Sequence, residues 1–245
     1  MANEIKYQDV VKTALENVGY QGTTYTSKFT EFLDSINWYC GKKQGATTWC
    51  CILNDYCVAV NKGNLSYEQA RQIVCEPSNA SINYGAGVKE KVQYYKNAGR
   101  WFTDPSKATT GDEIFLYVTS KGETKIGHVG RIVDWDNKYI YTVEGSTTYD
   151  GKPHSVGKKS YSYNNSRIAG FGRPDWYKYQ ISETPVTTTP ATIDDSLYID
   201  LARKCIEGYY GNGLDRKRKL NSLGYGNIYD KVQNYVNMIL RGQLK

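Results

Sequence analysis

Three side chains in this sequence, far apart along the chain, have the types and settings that thiol chemistry requires. Cys50 follows Gly45-Ala46-Thr47-Thr48-Trp49 and opens the apolar run Cys51-Ile52-Leu53, the pattern of a cysteine at the start of a buried helix. A thiol placed there is acidified by the helix's positive end and its unpaired N–H groups. Downstream, Gly127-His128-Val129-Gly130 offers a base and Thr142-Val143-Glu144-Gly145 offers a carboxylate to orient it. With Cys50 as nucleophile, His128 would take its proton and later protonate a leaving amine, while Glu144 fixes the imidazole tautomer. The oxyanion of a tetrahedral intermediate needs donors, and the backbone N–H of Cys50 with a side chain from Gln44 or Tyr39 could provide them.

Each residue also has a plainer role open to it. Cysteine is among the most buried residue types, so Cys51, Cys57 and Cys75 read as structural. His128 is one of only two histidines, and a lone strand histidine is commonly a satisfied polar residue. His154, in Asp150-Gly151-Lys152-Pro153-His154-Ser155, reads as a surface loop residue. No Cys/His group has the spacing of a zinc site, so no metal or organic cofactor is expected.

The elements that must position these residues change period along the chain. Helical spacing is expected over Lys6–Val18, over a helix capped by Ser27 with Phe29, Phe32, Leu33 and Ile36 inward, and over Cys50–Val60 as the central helix. Ser66 with Gln69 forms a capping box for the next helix, which Pro77 closes, and a further helix is expected from Val88 to Lys96. Short β-branched and aromatic runs follow at Asp112–Val118, Gly127–Asp134, Lys138–Glu144 and Arg167–Arg173. The Asp136-Asn137 turn predicts that the second and third pair as a hairpin. His128, at the start of one strand, and Glu144, near the end of its neighbour, would then face each other without either strand bending. Helices first and antiparallel strands afterwards make an α+β domain.

Thr/Pro-rich sequence over 180–196 reads as a linker. It separates a domain at 1–179 from a second at 197–245. Helical segments at Leu197–Glu207, Leu214–Leu223 and Ile228–Leu240 predict a small three-helix core for the second domain.

Composition narrows the function classes. No apolar run approaches the roughly 20 residues needed to span a bilayer, and Met1-Ala2-Asn3-Glu4-Ile5-Lys6 lacks the order of a secretory signal. Cytosolic synthesis with free thiols is therefore expected, and action outside the cell would follow release or membrane permeabilisation. Residues 197–245 hold nine Lys/Arg against four Asp/Glu, so five of the six net positive charges lie in the tail. Nucleic acid is disfavoured as a partner, because no binding-fold signature accompanies the basic run Arg216 to Lys219. The 23 tyrosines and 5 tryptophans suit a surface that grips sugars or extended polymers.

Residues 6–175 resemble a CHAP domain, the cysteine- and histidine-dependent amidohydrolase/peptidase family of phage endolysins and wall hydrolases, related to the NlpC-type peptidases. The matching pieces are Trp49-Cys50, Gly111-Asp112, Gly127-His128-Val129-Gly130 and Val143-Glu144-Gly145. The resemblance implies a papain-like α+β fold with Cys50 as nucleophile, His128 as base and Glu144 as third member. Gln44 stands at the offset of the oxyanion glutamine of papain-like proteases. Cys51, Arg131 and Ser146 depart from residues common in the family. No Asp-rich run precedes Cys50, so calcium is not expected.

Residues 197–241 resemble the cell-wall-binding repeat attached to some phage lysozymes, through Leu201-Ala202-Arg203, Tyr210-Gly211-Asn212-Gly213, Arg216-Lys217, Leu223-Gly224-Tyr225 and Tyr229-Asp230-Lys231-Val232-Gln233. This implies wall binding through Arg203, Tyr210, Asn212, Arg216 and Tyr225. Together the resemblances imply a phage endolysin acting on the glycan strand and stem peptide of peptidoglycan. The expected activity is that of an N-acetylmuramoyl-L-alanine amidase, with an endopeptidase in stem or bridge peptides as the alternative. An inactive wall-binding protein and a bacterial autolysin or toxin effector are the other classes open to the sequence.

Overall fold

The computed structural model describes residues 5–40, 48–77, 87–176, 178–179, 195–210, 213–221, 223 and 228–244. The chain divides into two compact units, Met1–Ile181 and Ser182–Lys245. The linker expected over 180–196 lies outside the described residues as far as 194, and a helix already begins at Asp195.

In the first unit, helices α1 (Tyr7–Glu16), α2 (Lys28–Ser35), α3 (Cys50–Val60), α4 (Tyr67–Ile73) and α5 (Val88–Asn97) precede the sheet. Their caps follow from sequence: the Ser27 hydroxyl accepts from the Thr30 N–H at 3.1 Å, and Ser66 and Gln69 close a reciprocal capping box. The strands are β1 (Trp101–Phe102), β2 (Glu113–Ser120), β3 (Glu123–Trp135), β4 (Tyr139–Tyr149), β5 (Lys152–Ser162) and β6 (Ile168–Gly172). The described residues form one antiparallel sheet in the order β1-β6-β2-β3-β4-β5. The N-terminal helices and an antiparallel sheet thus make the α+β arrangement that the change of period predicts.

Alternation along the strands divides the core in two. Phe115, Val129, Val143 and Val156 join the helices in one apolar cluster, while Ile114, Leu116, Ile132, Ile140, Tyr161 and Phe171 form a second. Helix α3 is buried on almost every side, from Cys50 to Ala59, which explains why its sequence is apolar all round rather than striped.

A buried ionic cluster lies against α3. Lys91 of α5, fully buried, pairs with Asp55 of α3 and at 2.7 Å with Glu76. Trp38 Nε1 donates to Glu76 at 2.9 Å. Burial, with Asp55 close by, pushes the Glu76 carboxyl up to about 8.

Two strand expectations are corrected. Residues 150–155, read as a loop, form the β4–β5 turn and the start of β5, so His154 belongs to a strand and is half-buried. His128 and Glu144 are not at strand ends, because β3 begins five residues before His128 and β4 runs five beyond Glu144. The strands do bend: register shifts occur opposite His128, between Leu116 and Tyr117, and again between Glu144 and Thr147.

The second unit is three helices, α6 (Asp195–Ile206), α7 (Gly213–Asn221) and α8 (Tyr229–Leu240), around Tyr198, Leu201, Ala202, Cys205, Leu220, Ile228, Val232 and Val236. Tyr198 and Tyr235 stack with ring centroids 6.2 Å apart. No described helix is long and apolar enough to cross a membrane.

Candidate active site

The first turn of α3 carries Cys50, and Trp49 fixes where that turn lies. The Trp49 indole is fully buried against Phe29 and Tyr20, and its Nε1 donates to the Thr23 carbonyl at 2.8 Å. The N-cap Trp49 makes no side-chain capping bond, and the first turn holds no acidic residue. No carboxylate of its own first turn therefore offsets the helix's N-terminal dipole.

The sheet brings the other two groups to that helix end. Arg131 of β3 is opposite Val143 of β4, so His128 and Glu144 follow just beyond the last ladder pair on the two strands. His128 Nε2 meets Glu144 Oε2 at 2.9 Å. The same imidazole lies close enough to Cys50 that each group shifts the other's titration. Glu144, 2% exposed, receives the Thr142 and Tyr161 hydroxyls on its other oxygen, both at 2.7 Å. The structure thus brings Cys50 and Glu144 to one imidazole in a row, with a hydrogen bond joining the histidine to the glutamate.

Two glycines make this approach possible. A Cβ on Gly130 would lie 2.7 Å from Glu144 Cγ, and one on Gly145 would lie 2.9 Å from both the Trp49 ring and its carbonyl and 3.0 Å from Leu53 Cβ. Gly130 leaves room for the carboxylate; Gly145 lets α3 rest on β4 one residue after it. Both glycines belong to the sequence patterns that mark the site, but the clashes they avoid are visible only in three dimensions.

The electrostatics favour an ion pair at rest. A hydrogen bond with the Cys51 thiol is the largest influence on Cys50 and lowers its thiol well below the ordinary range; burial opposes it, and His128 lowers it further. Burial by itself would depress the His128 imidazole, but its bonds to Cys50 and Glu144 overcome that and push it up to about 10. Burial raises Glu144, yet His128, Thr142 and Tyr161 together hold it below its usual value. Cys51 is the opposite case, since burial, then its contact with Cys50, raises its thiol well above the normal range. Both shifts act in the direction of a thiolate at Cys50 beside an imidazolium at His128.

The remaining sequence-expected groups fall elsewhere. Gln44 lies outside the described residues. Tyr39, expected as an oxyanion donor, is buried and donates its hydroxyl to Asp55 at 2.5 Å, so its proton serves the ionic cluster instead. Arg131 is buried, with its guanidinium donating to Glu113 at 2.9 Å and to the carbonyls of Gly111 and, at 3.4 Å, Asn54 of α3. That ties the helix of Cys50 to the strand of His128. Ser146 adopts φ 52° in the irregular stretch after Glu144, a backbone setting that residue type alone does not announce.

Alongside the row runs a groove of about 580 Å³ lined by His128, Glu144, Ser146, His154, Lys159 and Arg167, among others. His154, expected at the surface, faces this groove and meets Thr24 Oγ1 at 3.2 Å through Nε2. Among the described residues no group of three His, Cys, Asp or Glu could hold a metal ion.

In the second unit, Arg203 is exposed on α6, and Tyr210 is half-buried against the core beside Tyr209, which is 74% exposed. Arg216 is used internally: it donates to Gln233 of α8 at 3.0 Å and to the Cys205 carbonyl of α6 at 3.2 Å. Asn212 and Tyr225 lie outside the described residues.

Residues 200–240 match the model of the CW_7 repeat, a cell-wall-binding repeat. The second unit carries that repeat. No curated protein matches the chain. Among solved structures, the crystal structure of Ly7917 aligns at 16% identity and TM-score 0.39, and that of Ly7917 with the hydrolyzing product of MDP at 17% and 0.41. Each alignment covers 69% of this chain, which spans 63% of the length of that structure.

Proposed function

We propose that the chain is a peptidoglycan amide hydrolase of the CHAP type, in which Cys50 attacks a carbonyl to form a thioester that water then releases. The observation that carries the reading is the convergence of Cys50, at the start of α3, on the hydrogen-bonded pair His128 and Glu144. The thiolate adds to the amide carbon, the α3 N-terminus stabilises the oxyanion, and the C–N bond breaks as His128 gives its proton to the nitrogen. Neutral imidazole then accepts a proton from water attacking the thioester, which regenerates the thiol pair. Glu144 holds the ring in place and keeps its charge favourable throughout. The cell-wall-binding repeat supports a wall polymer as substrate.

The preferred bond is the one between N-acetylmuramic acid and L-alanine, with peptide bonds of the stem or bridge as the second reading. New amino termini released from purified peptidoglycan test both. We expect wild type and Cys51→Ala to release them and Cys50→Ala to fall by at least about 10³-fold. L-Alanine at the new terminus identifies the amidase, and another residue there identifies the endopeptidase. Full activity in Cys50→Ala would sink the mechanism.

A further inference from the structure

The groove beside His128 has an unbalanced charge. Glu144 is its sole carboxylate lining among the described residues, and that charge is already met by His128, Thr142 and Tyr161. Two cations line the same groove, Lys159 of β5 and Arg167 just before β6. Neither is within ion-pair distance of a carboxylate among the described residues. Lys159 Nζ donates to the Thr148 carbonyl at 2.7 Å, which leaves two of its protons for another acceptor. The Arg167 guanidinium is exposed and lies 5.9 Å from the Tyr161 ring centroid, the same tyrosine that holds Glu144. Asn165 adds a neutral polar side chain to the wall.

Cys50 is 2% exposed and does not line the groove, whereas His128 does. The imidazole is therefore the link between sulfur and groove, and it is also the group that protonates the leaving nitrogen. A substrate arm running past His128 into the groove is the arm on the amine side of the scissile bond. We infer that Lys159 and Arg167 form a carboxylate-binding subsite for the leaving peptide, so that the preferred substrate carries a free carboxylate on the amine side of the bond that is cut. This rests on the amide-hydrolase reading above and gives it a substrate polarity. A stem peptide offers two such groups, the α-carboxylate of a γ-linked glutamate and the carboxylate at its C-terminus.

Four muropeptides differing only in whether each of these carboxylates is free or converted to a carboxamide distinguish the sources. For the full chain, kcat/KM should fall roughly tenfold when one particular carboxylate is amidated, the size expected for losing a charge-assisted contact. Arg167→Gln and Lys159→Gln should each raise KM several-fold for the free-carboxylate substrate, with a smaller change in kcat, and erase the discrimination. Arg167→Lys should keep most of it. Lys158→Gln, an exposed neighbour outside the groove, should leave it intact. Equal turnover of all four substrates by wild type would overturn the subsite, as would equal losses by the Gln variants on carboxylate and carboxamide forms. Equilibrium binding of the same muropeptides to Cys50→Ala separates the two readings. Carboxylate-dependent binding without turnover in wild type would retain the subsite and reject the hydrolase, and carboxylate-independent binding would reject the subsite.

Discussion

At the scale of single residues, the decisive contrast is between two adjacent thiols. Cys50 and Cys51 are both buried, yet one is held low by its partners and the other high by burial. Their mutual contact, which lowers Cys50 and raises Cys51, and the proximity of His128 to Cys50 separate them; residue type does not. The same partners set a pH dependence. His128, raised to about 10, remains an imidazolium from neutral pH upward until that value, so kcat/KM should stay flat and then fall as the leaving nitrogen loses its proton donor. On the acid side activity should fall as the Cys50 thiolate is protonated. Glu144→Gln removes a carboxylate that favours the imidazolium, so the alkaline limb should move to lower pH, and kcat should drop by roughly 10²-fold. A pH–rate profile for the variant checks this, and an unmoved alkaline limb would mean that Glu144 does not govern His128. That Cys50, His128 and Glu144 would come together was legible in the sequence because each sits in a glycine-flanked or helix-opening pattern; their roles belong to the proposal. Tyr39 was misread because closeness in sequence to Cys50 suggested the oxyanion, while Asp55, sixteen residues on, takes its proton in space.

At the scale of elements, the site depends on how closely one helix rests on one strand. The period of each run made α2, α3, α4 and the β3–β4 hairpin readable, with their caps and turn chemistry in agreement. Strand β5 was not readable, since Pro153, Gly157 and the Lys158-Lys159 pair interrupt any alternation. Those residues suit its position at the sheet edge, where charge and proline discourage pairing with another chain. The pair Gly130 and Gly145 was visible, but the reason for it lies in side chains distant in sequence. Gly145→Ala tests that reason. Its methyl would lie 2.9–3.0 Å from Trp49 and Leu53, and the helix must retreat from β4 to admit it. We expect a stability loss of about 1–3 kcal/mol from overpacking, seen as a lower denaturation midpoint. A larger proportional fall in kcat should accompany it, because Cys50 moves away from His128. Unchanged kcat with lowered stability would show that the Cys50–His128 distance does not depend on this contact.

At the scale of the whole molecule, the proposed function places chemistry and attachment in different units, and the charge lies with the repeat. The first unit contains the row and the groove, while residues 197–245 contain the CW_7 match and five of the six net positive charges. On the proposed function, a single repeat would give a modest grip, whose value would lie in raising the effective concentration of the first unit at an insoluble polymer. It should do nothing for a small dissolved substrate that reaches the groove by itself. A chain ending at residue 181 should therefore cleave a soluble muropeptide with kcat/KM within about twofold of the full chain, yet sediment less with purified peptidoglycan and release amines from it more slowly. The deficit should narrow as salt rises from 0.05 to 0.5 M, since the Debye length falls from about 14 Å to about 4 Å and screens the contribution of the basic tail. Turnover on soluble substrate, co-sedimentation and amine release, measured across that range, separate the alternatives. Equal sedimentation of the two chains would locate wall binding in the first unit, whereas loss of soluble turnover on truncation would make the second unit part of the catalytic machinery.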